Sequence, residues 1–98
     1  MSQVFKALSH PARRRIVEML RDGPMASGDI AAAFDMAWPT ITGHLAALRD
    51  AGLVETEREG ASIRYRLNLS AVEEALAFLL DLIGHAATLA ALKLKTNP

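Results

Sequence analysis

Between Trp38 and Gly52 the hydrophobic positions repeat with helical spacing. Ile41, Leu45 and Leu48 lie four and three residues apart and so share one side of a helix. At about 100° per residue, Pro39, Thr40, Thr42, Gly43 and Ala46 point the other way, forming a face of small and hydroxyl-bearing groups. Such a face can approach another surface closely. Upstream, Val4, Phe5 and Leu8 predict a short helix that stops before Pro11, with His10 in the turn hydrogen-bonded to backbone. A second helix starts at Pro11, where the missing amide hydrogen of proline costs nothing. Ile16, Val17, Met19 and Leu20 supply its buried side, and Asp22-Gly23-Pro24 ends it. A third helix, Ser27 to Phe34, turns Ile30, Ala31 and Phe34 inward. Asp35-Met36-Ala37 then leaves room only for a tight turn, so the third and fourth helices read as a helix-turn-helix.

After Gly52, a residue suited to the left-handed end of a helix, the period changes. Ile63, Tyr65, Leu67 and Leu69 alternate with Arg64, Arg66 and Asn68, the signature of a half-buried strand. A partner strand over Val54 to Arg58 and a tip at Gly60 complete a β-hairpin, which in this position is a wing. Ser70, with Glu73 three residues on, predicts a capping box opening a last helix. Along it Val72, Leu76, Leu79, Ile83, Ala87, Ala90 and Leu94 recur every three or four residues for about 25 residues, or roughly 38 Å. A small winged domain cannot cover so long an apolar stripe alone. A two-fold dimer covers it, with the stripe packed on its own copy and on the N-terminal helix through Phe5. The fold class is therefore mainly α with a small β-hairpin. Residues 1–98 form a single winged-helix domain, of which 71–95 are the dimerisation helix.

Composition narrows this picture in three places. The chain has no cysteine, which removes disulfides, thiolate metal sites and thiol redox chemistry. The N-terminus lacks a signal peptide, and Asp81 lies inside the long apolar stretch Ala75 to Leu92. A carboxylate at mid-membrane costs about 2.5–3.5 kcal/mol, so a soluble, cytoplasmic protein is expected. Lys and Arg number 11 and Asp and Glu 11, a net charge of zero that does not advertise a nucleic-acid partner. Distribution says more than the sum. Arg13, Arg14 and Arg15 open the second helix, where a helix dipole disfavours cations, while Arg49, Arg58, Arg64 and Arg66 flank or lie in the wing. Phosphate contact explains that placement. Solvated surface charge explains it as well, and Glu55, Glu57 and Glu59 can pair with wing arginines across the strands with no ligand present.

FKALSHPARRRIVEML, WPTITGHLAALRDAGLV and EREGASIRYRL, in this order, resemble the ArsR family of bacterial winged-helix repressors over roughly Phe5 to Leu82. The most diagnostic pieces are the Leu-Ser-His-Pro turn followed by arginine, Leu8 to Arg13, and the Pro-Thr-x-Thr-x-His-Leu helix, Pro39 to Leu45. The resemblance implies a homodimer that binds imperfect palindromes of double-stranded DNA in its own promoter. It assigns DNA contacts to Thr40, Thr42, Gly43, His44, Arg49, Arg13, Arg58 and Arg64, and a dimer interface to Phe5, Leu76, Leu79, Ile83, Ala87 and Ala90. Packing beside the buried stripe remains an alternative for His44, and Trp38 is expected to pack at the helix start.

The sequence departs from the family pattern in ways that matter. The cysteine pair by which many relatives sense metal has no counterpart between Ser27 and Ala33, and the last helix offers only Asp81 and His85 as weak metal candidates. No cofactor is expected, and the pattern is nearest to the family's metal-independent autorepressor branch. Ala37 replaces the usual capping Ser or Thr, and Gly43 replaces a larger polar residue, weakening an exposed helix by about 1 kcal/mol relative to alanine. Two other functions stay open at this level: a winged-helix protein-interaction module, and a metal-gated sensor using Asp81 and His85. Scattered histidines and no acid pair in a defined pocket give no catalytic constellation, so an enzyme is not expected.

Overall fold

The computed structural model describes residues 2–84. Helices α1 (Ser2–Ala7) and α2 (Pro11–Leu20) lead into a two-residue strand β1 (Met25–Ala26), followed by α3 (Ser27–Ala32) and α4 (Trp38–Asp50). Strands β2 (Val54–Glu59) and β3 (Ser62–Leu67) form the hairpin, and α5 (Leu69–Ile83) ends the described chain. The core lies where these elements converge. Ile16 and Leu20 of α2, Ile30 of α3, and Ile41, Leu45 and Leu48 of α4 are all buried, closed on the sheet side by Leu53, Val54 and Tyr65. The stripe read from the sequence of α4 is thus the centre of the domain, and it fixes how that helix is rotated.

The sheet has three strands, not two, in the order β1-β3-β2 with both pairings antiparallel. Met25 lies opposite Tyr65 and Ala26 opposite Arg64. A two-residue strand is too short to show alternation, so its existence depends on β3 arriving beside it. Glu59 lies opposite Ser62, which leaves Gly60 and Ala61 as the turn, and Gly60 takes the positive φ of 60° that such tight hairpins favour.

Several boundaries differ from the sequence expectation. Helix α3 ends at Ala32, and the next two amides bond three residues back, Ala33 to Ile30 and Phe34 to Ala31, which tightens the last turn and tucks Phe34 against the core. The β3 alternation stops at Leu67, so Leu69 begins α5 and stands 62% exposed. The expected capping box at Ser70 is not the observed start, because Asn68 occupies the N-cap and turns its side chain elsewhere. Its Nδ2 donates to the Gly52 carbonyl at 2.9 Å and its backbone amide to the Leu53 carbonyl at 2.9 Å, tying the start of α5 to the joint between α4 and β2. That joint is itself set by Gly52 at φ 80°, with the Leu53 amide bonded to the Leu48 carbonyl.

Helix α5 was expected to run unbroken to about residue 95. It ends at Ile83, and Gly84 at φ 80° lies beyond the helix. Ala87, Ala90 and Leu94 of the expected stripe, and His85, lie outside the described residues. Among the described residues no helix is long and apolar enough to cross a membrane. One side of α5 packs on its own domain through buried Ala75, half-buried Ala71 and a tilted ring contact of Phe78 with Phe5 at 5.7 Å. The neighbouring side presents Leu76, Leu79 and Ile83 to solvent at 54%, 45% and 61% exposure, and Leu82, one turn beyond Phe78, is 69% exposed.

Candidate nucleic-acid interface

The outward face of α4 is open. Pro39, Thr40 and Gly43 are exposed, Thr42 and Ala46 are half-buried, and a Cβ placed on Gly43 would meet nothing within 4 Å. The Thr42 hydroxyl donates to the Pro39 carbonyl at 2.9 Å, so its hydrogen is used within the helix and its methyl and lone pairs remain. Ala37 precedes the helix without a side-chain cap. Trp38 does not pack at the helix start as expected. It is 51% exposed, because the buried side of α4 begins with Ile41 and leaves the first turn outside the core.

His44 turns inward and is only 8% exposed. This places it within the buried side of α4 and away from the outward threonine face, as the packing alternative required. Its Nδ1 accepts a hydrogen bond from Arg13 Nε at 3.2 Å, and its ring lies 4.3 Å from that of His10. His10 Nδ1 in turn accepts from the Ala12 amide at 3.1 Å, capping α2. Burial, then His10, then Arg13 hold His44 below the usual imidazole range, which favours the neutral ring and keeps Nδ1 available as an acceptor. A chain from the α2 cap through His44 to Arg13 thereby locks one guanidinium beside α4. The sequence showed the two histidines and the arginine separately. Nothing in it relates residue 10 to residue 44.

The arginines at the start of α2 separate by role. Arg14 Nη1 donates to the Leu8 carbonyl at 2.9 Å and closes the α1–α2 turn, while Arg15 pairs loosely with Glu18 at 3.9 Å. Arg13 spends one of its five N–H donors on His44 and has no carboxylate partner among the described residues. Arg49 is exposed and sits 3.6 Å from Asp50.

In the wing the expected cross-strand pairs are present. Arg66 contacts Glu55 at 3.0 Å and Glu57 at 3.7 Å, and Arg64 lies 3.6 Å from Glu59 with Nη2 at 3.4 Å from the Pro24 carbonyl. Exposed pairs of this kind contribute only about 0–1 kcal/mol, so they bias the arginines without removing them from use. Arg58 differs: it is opposite Ile63 on the other face of the ribbon and has no ion pair among the described residues.

Of the residues expected at a dimer interface, Leu76, Leu79 and Ile83 form the exposed side of α5, whereas Phe5 is half-buried against Phe78 of its own chain. Asp81 is exposed, and among the described residues no three His, Cys, Asp or Glu side chains gather as a metal site would require.

Residues 10–56, which span α2 to the first wing strand, match the family described as bacterial regulatory protein, arsR family. The chain is similar to the transcriptional repressor SdpR of Bacillus subtilis (strain 168), at 39% identity over 84 residues that cover 86% of this chain and 93% of that protein. Among solved structures it resembles an ArsR-like transcriptional regulator from Rhodococcus sp. RHA1, with a TM-score of 0.73 and 32% identity across 98% of this chain and 92% of the other. It also resembles the solution structure of a homodimeric winged helix-turn-helix DNA-binding domain from Mycobacterium bovis, a possible ArsR-family transcriptional regulator. That match has a TM-score of 0.68 and 36% identity over 80% of this chain and 74% of the other. With one relative aligned over nearly its whole length and the same winged helix-turn-helix framework in solved structures, the chain belongs to the arsR family of bacterial regulatory proteins.

Proposed function

We propose that this protein is a cytoplasmic, homodimeric transcriptional repressor that binds double-stranded DNA at an imperfect palindrome beside its own or an adjacent operon, without enzymatic activity. The observation that carries this reading is the asymmetry of α4. One side is locked into the core by Ile41, Leu45 and Leu48, and the other is an open surface of small groups with Arg13 held beside it. A helix so anchored enters a major groove as a rigid body, its hydroxyls and methyls against base edges. Arg13, Arg49, Arg58 and Arg64 then neutralise flanking phosphates. Few side chains on this face can make bidentate base contacts, so selectivity leans on duplex shape and on the arginines.

The dimer is supported by the apolar side of α5, on which Leu76, Leu79 and Ile83 are all about half exposed or more. Burying such a stripe against its copy sets two α4 helices about one helical turn of DNA, ~34 Å, apart. Repression follows by occlusion of polymerase. The relative named a transcriptional repressor and the neighbour described as homodimeric agree with this assignment.

A protein-interaction module is the second reading, favoured by the wing glutamates that engage Arg64 and Arg66. Titration of the purified protein against labelled DNA from upstream of its own reading frame, over a range of salt, separates the two. For a DNA-binding protein the logarithm of the affinity falls linearly with the logarithm of the salt concentration, with a slope of about −0.9 per phosphate neutralised. Absence of sequence-selective binding at moderate salt overturns the repressor assignment.

A further inference from the structure

A cleft of about 260 Å³ opens between α1, α2 and α4, lined by Gln3, Lys6, Ala7, Arg13, Ala47 and Asp50. Its α4 members continue the outward face of that helix. Thr40, Gly43, Ala47 and Asp50 follow one another at three and four residues, so the cleft lies at the C-terminal end of the stripe whose N-terminal end carries Thr40 and Gly43. Two cations line it. Arg13 is oriented by His44 through Nε alone, which leaves its four terminal N–H groups for another acceptor. Lys6 is exposed, and no hydrogen bond or ion pair engages its ammonium among the described residues. Asp50 is the opposing charge at the rim, and its Oδ1 lies 3.6 Å from Arg49 Nε.

We propose that this cleft seats a backbone phosphate of the bound duplex, with Lys6 of α1 and Arg13 of α2 as its paired cations. The N-terminal helix thus joins the DNA-binding surface, in addition to the helix-turn-helix and the wing. The inference rests on the DNA-binding reading above, which already includes Arg13, and adds to it Lys6 and the cleft in which the two cations meet one phosphate. Geometry supplies the reason: a helix that enters a groove by its N-terminal residues brings its C-terminal end towards the sugar-phosphate rim. A lysine serves that rim as a mobile point charge, and the clamped arginine as an oriented fork. The cleft is open and wide enough to take a phosphate with part of its hydration shell.

The test uses the full chain and two labelled duplexes of about 30 base pairs, long enough for two half-sites a helical turn apart. One has mixed sequence and the other comes from upstream of the gene. Lys6→Gln is compared with Lys6→Arg and with Arg21→Gln, which removes the same charge from the far end of α2, where Arg21 pairs with Asp22. Thermal midpoints of the free proteins verify folding. Lys6→Gln should reduce the salt slope by about 0.9 per protomer and weaken both duplexes alike, by on the order of tenfold per lost contact near 0.05 M salt. Lys6→Arg should restore binding, and Arg21→Gln should leave it unchanged.

An unchanged slope in Lys6→Gln overturns the phosphate seat while the repressor reading stands. An equal loss in Arg21→Gln also overturns it, since net charge then explains the effect. Thermal stabilisation by millimolar inorganic phosphate that disappears in Lys6→Gln, with DNA binding intact, would assign the cleft to a free anion instead. Failure of the unsubstituted protein to bind either duplex overturns both readings together.

Discussion

Replacing Gly43 by alanine separates what the free protein needs from what a bound duplex needs. Gly43 lies in the middle of α4, with ordinary helical backbone on either side, and an added Cβ would meet nothing within 4 Å. Alanine there is unstrained in the free protein. Glycine in a helix interior costs about 0.8–1.0 kcal/mol relative to alanine, so Gly43→Ala should stabilise the fold by roughly 0.5–1 kcal/mol. For a chain of this size that raises the melting midpoint by about 2–8 °C. In the complex the sign reverses. If the outward face of α4 lies against the groove floor, one extra methyl at its centre overpacks the interface, at about 1–3 kcal/mol, or roughly 5- to 150-fold in affinity. Circular dichroism melts of the free protein and anisotropy titration of a labelled upstream duplex in the same buffer measure both effects. Unchanged or tighter binding would show that no duplex approaches Gly43. A lowered melting midpoint would refute the open surroundings from which the argument starts.

Other substitutions test the remaining parts of the surface. Arg58→Gln should lower the salt slope by about 0.9 per protomer, and Arg64→Gln by less, because Arg64 already lies near Glu59 and the Pro24 carbonyl; equal slopes would contradict that ranking. His44→Phe keeps a ring of similar size but frees Arg13, so ordering of the guanidinium falls to the binding step at about 0.5–1.5 kcal/mol, or roughly 2- to 12-fold per protomer, with the salt slope unchanged. A fall in slope like that of Arg13→Gln would mean that His44 itself carries charge to the DNA. Because His44 is held below its ordinary pKa when folded, the unfolded chain takes up its proton first. Stability at that site is therefore complete above about pH 6.5 and declines as pH falls from there towards the folded value; urea titrations from pH 7.5 to about 5 should show this loss in the parent and not in His44→Phe. Leu76→Glu, at a position 54% exposed within the chain, should leave helicity intact and shift sedimentation from dimer to monomer; a persistent dimer would place the interface elsewhere.

The legible parts of this molecule are those whose signal is local. Ile41, Leu45 and Leu48 mark the buried side of α4 because a helix repeats every 3.6 residues. Pro11 and Gly52 announce a helix start and a helix end because their backbone preferences are intrinsic, and the β2–β3 hairpin shows in the alternation of Ile63, Tyr65 and Leu67. The apolar stripe of α5 was equally plain as far as Ile83, and its expected continuation through Ala87, Ala90 and Leu94 lies outside the described residues.

What tertiary structure decided is everything that joins residues distant in the chain. Strand β1 exists only because β3 lies beside it, and α5 opens at Asn68 and not in a box at Ser70, with the Asn68 side chain drawn to Gly52, 16 residues away. The candidate site divides the same way. Sequence supplied the small face of α4 and the arginines around it. The fold turned His44 inward, spent Arg14 on the Leu8 carbonyl and Arg66 on two glutamates, and left Arg13 clamped across 31 residues of sequence and Arg58 without an ion pair among the described residues. A residue's chemistry is written in its type, but whether that chemistry is spent within the fold or left for a ligand depends on which groups packing brings within about 3–4 Å of it.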